Sequence, residues 1–196
     1  IENQGKLTEE LAAAIDNAAT MTEVEDLYRP YKQKRRTRAS IAREKGLEPL
    51  AAAIFEQDGQ APSVLAIDYV NEELGVHSIE DALAGANDII AEIMSDSAEI
   101  RHDLKEMITA KGIIRSKAKS EEDSVYSMYY DYSEAVAKIP SHRILALNRG
   151  ENEDFLKVGL EIENFAAMGI FYRYFVKSGS VTTQFVKEAA LDSWER

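Results

Sequence analysis

The apolar positions of this chain repeat at helical spacing from its start. Leu7, Leu11, Ala14, Ile15 and Ala18 share one face, with Thr8 placed to cap it. Val24, Leu27, Tyr28 and Tyr31 recur behind Thr22, with Glu25 three residues on, a capping-box spacing. Pro30 limits this second helix, Thr37 caps a third that runs to Lys45, and Gly46 takes the stop position. Leu47, Leu50, Ala51, Ile54 and Phe55 define the next, with Pro49 in its first turn, where a missing N–H costs nothing. Beyond the loop "EQDGQAP" (56–62), Val64, Leu65, Ile67, Val70 and Leu74 predict a helix ending near Gly75. Ser78 with Asp81 caps another, whose stripe of Ile79, Ala82, Leu83, Ala86, Ile90, Ile93 and Met94 is the best defined in the chain. Ser97 caps one more, carrying Ile100, Leu104, Met107 and Ile108 to Gly112.

The period then changes. "FLKVGLEI" (155–162) alternates apolar and polar, and "IIRSKAK" (113–119) does so more weakly; if extended, the latter puts Arg115, Lys117 and Lys119 on one face. Between them, Val125, Met128, Tyr129 and Tyr132 predict a helix. "PSHRILALNRG" predicts another, capped by Ser141, suited at its C-terminal end by Arg149 and stopped by Gly150. Two more close the chain, around Phe165, Met168, Tyr172 and Phe175 and around Val181, Phe185, Ala189 and Trp194. The expected fold is all-α and multihelical, with two packed helical subdomains and one small β-ribbon at 113–119/155–162. The 56–62 loop suggests the boundary: a partial N-terminal helical segment with a basic turn at 1–60, and a larger helical subdomain at 61–196.

Composition narrows the class. A chain 45% hydrophobic and 30% charged, with 4 prolines, reads as folded and soluble. The absence of cysteine excludes disulfides, thiolate metal sites and cysteine nucleophiles. No apolar run approaches a membrane span, so no membrane partner is expected. Ile1 at the start and "DSWER" inside a helical pattern at the end read as a fragment of a longer multidomain protein.

Charge singles out one stretch. The formal net charge is −12, which disfavours a single global field for nucleic acid. Yet Arg29, Lys32, Lys34, Arg35, Arg36, Arg38, Arg43 and Lys45 stand together against one acid, Glu44. Two readings stay open. Lys32, Lys34, Arg35, Arg36 and Arg38 could neutralise phosphates, with Tyr28 and Tyr31 near enough to stack on bases. Or the cluster docks on acids of its own chain or of neighbouring domains.

Nothing else carries chemistry. Ser141 and His142 are adjacent, and helical neighbours point about 100° apart, so they make no nucleophile–base pair. His77, His102 and His142 are far apart in sequence, and no glycine-rich phosphate loop occurs. No catalytic residue, metal or cofactor is expected. The tyrosines of "YSMYYDY" (126–132) could offer bases a platform, but Tyr129 and Tyr132 share the stripe of Val125 and Met128, which favours core packing.

Three stretches, "DLYRPYKQKRRTRASIAREKGLEPLA" (26–51), "IPSHRILALNRGENEDFLKV" (139–158) and "LDSWER" (191–196), together with "NQGKLTEEL" (3–11), resemble the N-terminal part of the Tex family of bacterial RNA-binding transcription accessory proteins. The resemblance runs in order across essentially the whole chain. It implies a large cytoplasmic protein, similar to the core of a eukaryotic elongation factor that is also a histone chaperone. A helical N-terminal region would precede an RNase-H-like domain without evident catalytic function, then helix-hairpin-helix elements and an OB-type RNA-binding domain. This chain would then be a non-enzymatic scaffold region; the alternative is a nucleic-acid-binding module acting through residues 32–38. RNA or DNA, transcription machinery and the other domains of the same chain are the implied partners. One departure is that Gln33 stands where the family pattern usually has proline, which loosens the basic turn.

Overall fold

The computed structural model describes residue 1 and residues 5–32, 36–120 and 122–196. Among them, ten α-helices and one three-stranded antiparallel sheet form. Two compact units result: unit 1 comprises Ile1–His102 and Met168–Arg196, and unit 2 comprises Asp103–Ala167. The expected all-α class, with a small ribbon of 113–119 against 155–162, is the observed one.

In unit 1, α1 (Glu9–Asn17) is capped by the Thr8 hydroxyl, which accepts from the Leu11 N–H at 3.2 Å. α2 (Met21–Tyr28) starts at Thr20, not Thr22. Thr20 accepts from the Glu23 N–H, and the Glu23 carboxylate accepts from the Ala19 N–H at 2.8 Å. The same local sequence holds two overlapping capping spacings, and the earlier one wins. Pro30 then tightens the chain into a single 3-10 turn, Arg29–Tyr31.

α3 (Arg38–Glu44) opens with a complete capping box between Thr37 and Ser40. α4 (Glu48–Glu56) buries Leu50, Ala51 and Ile54. It ends on Gln57 at φ 55°, a left-handed cap usually given to glycine. The Gln57 amide explains the choice: it donates to the Phe175 carbonyl at 2.7 Å and accepts from the Lys177 N–H at 2.9 Å.

The expected helix over 64–74 breaks up. α5 (Pro62–Ala66) is followed by 3-10 turns at Ile67–Tyr69 and Glu72–Leu74. Asn71 interrupts the helix because its side chain accepts from the Glu73 and Leu74 N–H groups and starts a new turn. Val64, Ile67, Val70 and Leu74 consequently stay largely exposed, and Ala66 is the residue buried.

α6 (Ile79–Asp96) is the axis of unit 1. α3, α4, α5 and α10 (Thr183–Glu195) all pack against it. The loop at 56–62 does not separate compact bodies, since α4 and α5 on its two sides both rest on α6. Ala82, Ala86, Ile89, Ile90 and Met94 are buried; Gly85 lets the chain approach, for Ala42 and Leu47 occupy the space its Cβ would need. α7 (Ala98–Lys111) and α9 (Asn164–Phe175) each contain a point where the division between units falls.

Unit 2 is built on a sheet of order β2-β1-β3. β1 (Ile113–Ala118) pairs antiparallel with β2 (Asp131–Ala135) and β3 (Leu156–Glu161). β2 corrects the helix expected around 125–132. Tyr126 and Tyr129 enter the core with Ile139, Leu147 and Leu156, while Val125 and Met128 face solvent. A 3-10 turn at Ser127–Tyr129 makes that inversion, and the Ser116 hydroxyl holds it by donating to the Tyr129 carbonyl at 2.6 Å. The helical spacing of the apolar residues there is local, and pairing with β1 overrides it.

α8 (Ser141–Asn152) covers β3. Its N-cap is Pro140 without a side-chain cap, and the helix runs through Gly150 rather than stopping there. Asp154, at φ 67°, ends it. The Phe155 N–H donates to Gly150 and the Asp154 N–H to Glu151, the bond pattern of a Schellman motif.

Candidate nucleic-acid interface

α6 carries acids at 88, 92 and 96, one helical turn apart on one face. Each meets a guanidinium from the basic stretch. Arg38 Nε lies 3.3 Å from Asp88, Arg43 Nη1 lies 2.6 Å from Glu92, and Arg29 Nε lies 3.4 Å from Asp96. Arg38 also reaches Asp192 of α10 at 3.3 Å, and Arg196 joins both Asp88 and Asp192. Thr37 adds its hydroxyl to Glu92 at 3.0 Å, so the cap of α3 is fixed to α6. Glu92 is only 8% exposed, which makes these donors necessary: a buried carboxylate without them is costly.

The three candidate residues that are described, Lys32, Arg36 and Arg38, are held in different ways. Arg38 is latched to α6 and α10, although 62% of its side chain remains accessible. Arg36 pairs with Glu44 at 3.1 Å, and both side chains are largely in water. Lys32 is exposed just past the 3-10 turn. Lys34 and Arg35 lie outside the described residues. Lys45 donates to the Gly75 carbonyl at 2.7 Å. Tyr28 is exposed by 41%, and Tyr31 is partly buried.

The acid ladder on α6 is the part that reading the sequence missed. Its signal was present: Asp88, Glu92 and Asp96 repeat every four residues beside the apolar stripe, a setting in which acids need partners.

Unit 2 holds a second polar cluster. Glu134 accepts from the Tyr132 hydroxyl and, at 2.8 Å, from Arg143 of α8. The Tyr132 hydroxyl and then the Arg143 guanidinium hold the Glu134 carboxyl below its usual range. Burial first, then Glu134, pushes the Tyr132 phenol up. The cluster ties α8 to β2. Ser141 and His142 are both exposed at the start of α8. Among the described residues, His102, Asp103 and Glu106 can bring ligand atoms within 4.8 Å of one another, on a largely solvent-facing run of α7. No described helix is long and apolar enough to cross a membrane.

Fold and site together define a mainly helical region whose basic connection is latched onto an acidic helix, joined to a small sheet unit. The chain belongs to the Tex central region-like family, whose model matches residues 57–195. It is 41% identical over 203 residues to the uncharacterised protein YdcI of Bacillus subtilis, covering 100% of this chain and 28% of that protein. It is 44% identical over 168 residues to Protein tex of Bordetella pertussis, covering 83% of this chain and 21% of the relative. S1 RNA-binding domain-containing protein 1 of Homo sapiens is 28% identical over 175 residues, covering 84% of this chain and 17% of that protein. The chain thus spans about a quarter or less of the length of these relatives.

Proposed function

We propose that this region is a non-enzymatic helical scaffold of a cytoplasmic, Tex-like transcription accessory protein that binds RNA or DNA as a whole. It positions the RNase-H-like, helix-hairpin-helix and OB-type RNA-binding domains that the family resemblance implies, and contacts transcription machinery through the assembled protein. The observation that carries the reading is the latch: Arg29, Arg38 and Arg43 spend their guanidiniums on Asp96, Asp88 and Glu92 of the same unit. A cation held by its own acids braces the fold before it meets a phosphate. The names of the relatives in Bordetella pertussis and Homo sapiens support the wider setting.

The second reading, a module working through residues 32–38, draws on the exposure of Lys32 and Arg36. Titration with duplex DNA and single-stranded RNA at two salt concentrations separates them. Arg38→Glu with Arg43→Glu should lower stability and leave any binding unchanged. If instead neutralising Lys32, Lys34, Arg35 and Arg36 lowered the duplex log–log salt slope by roughly 3.6, with stability intact, the module reading would replace the scaffold.

A further inference from the structure

We propose that the solvent face of the unit 2 sheet is a weak, sequence-independent contact for the phosphates of single-stranded nucleic acid. This goes beyond the scaffold role and uses no residue of the latch.

The register carries the argument. Lys117 of β1 lies directly opposite Lys157 of β3, and both are exposed. Directly opposed cross-strand side chains stand close, and like charges in that position destabilise a sheet. Among the described residues, no ion pair offsets either ammonium. Asp131 of β2 neighbours Lys117 on the other side, without reaching ion-pair distance. A bound anion between the two lysines removes the repulsion that the fold leaves in place.

The surroundings suit an extended polyanion. Arg115 and Lys117 of β1 and Lys119 just past its end, where the Lys119 N–H still bonds the Phe155 carbonyl, follow at every second residue, roughly 6.8 Å apart, in a line that successive phosphates can follow. Arg115 rests on Glu161 and Lys119 on Asp154, but these are exposed pairs, which are weak and exchange readily. Arg115 is flanked across the sheet by small residues, Ser133 and Gly159. A Cβ at Gly159 would meet nothing within 4 Å, so a chain can approach the backbone there. The paired positions of the three strands put no aromatic ring on this face, and Phe155, opposite Lys119 just beyond them, packs on Tyr126, so bases find no stacking platform and contact is limited to the backbone. Ile113 and Ala135 are the apolar side chains that alternate onto this face, at the end away from Lys117, and both are half-buried, which leaves a protein partner little to grip around the two lysines.

The test uses the whole 196-residue chain and a short oligouridine, read by fluorescence anisotropy from about 50 to about 200 mM salt. The K117Q/K157Q variant should lower the magnitude of the log–log slope by roughly 1.4, since each single-strand phosphate contact contributes about 0.7. Over that salt range the wild type then loses about sevenfold more affinity than the variant. K157E faces Lys117 with an opposite charge, so it should melt at or above the wild-type temperature while binding less. Affinity lost without loss of fold thereby counts for the proposal. An unchanged slope in K117Q/K157Q, no binding at low salt, or polyglutamate bound as tightly through the same two lysines would overturn it. Neutralising Lys32, Lys34, Arg35 and Arg36 leaves this part of the slope intact, so failure here and failure of the scaffold reading are distinct.

Discussion

At Gly150 the absence of one methyl group decides how α8 meets the sheet. An added Cβ would lie 2.6 Å from Leu156 Cδ1 and 3.1 Å from Tyr126 Cδ1, against residues that are nearly or fully buried. Alanine gains about 0.8–1.0 kcal/mol of helix propensity, but overpacking costs about 1–3 kcal/mol. Gly150→Ala should therefore lower the urea midpoint despite improving the helix. The sequence offered "NRG" as a helix stop, because a glycine after the last periodic residue usually is one. The returning Leu156 side chain, which gives that glycine its role, lies on another element. Glu134 gives a second prediction at this scale. Its folded-state pKa is depressed, so its stabilisation is present above the ordinary glutamate value of 4.5 and lost as pH falls through the lower folded value. Urea midpoints measured through the acid range should decline less steeply in Glu134→Gln than in wild type.

Among the elements, α6 shows what exposure does to an ion pair. Arg43 and Glu92 are 32% and 11% exposed at the side chain, whereas Arg36 and Glu44 are 70% and 60% exposed. Arg43→Ala removes a charge-assisted bond from a buried carboxylate and should cost about 1.5–3 kcal/mol. Arg36→Ala breaks a pair in water and should cost roughly 0–1 kcal/mol. Chemical denaturation of both variants checks the contrast; equal losses would count against the latch. The helices themselves were legible, because Thr8, Thr37, Ser78 and Ser97 cap where the apolar stripes begin. So were β1 and β3, by alternation. The failures have two causes, one local and one distant in sequence. Asn71 has a local competitor for the helix, and β2 owes its conformation to a strand some fifteen residues earlier, which no window around Tyr129 contains.

On the scale of the molecule, unit 2 has its own core of Tyr126, Tyr129, Ile139, Leu147 and Leu156. Leu156→Ala should cost about 2–5 kcal/mol there, and hydrogen exchange should show β1, β2, β3 and α8 losing amide protection together. Loss confined to β3 would mean that this core is not cooperative. Unit 1, by contrast, is assembled from two separated stretches of chain. During synthesis, α6 emerges with the face that α10 will cover still bare. Residues 97–182 must be made before α10 follows, a delay on the order of ten seconds at ribosomal rates. Unit 2 has its full complement of residues before unit 1 does. A nascent chain halted short of Thr183 would leave part of the α6 face, including Asp88 without Arg196, for a chaperone to shield.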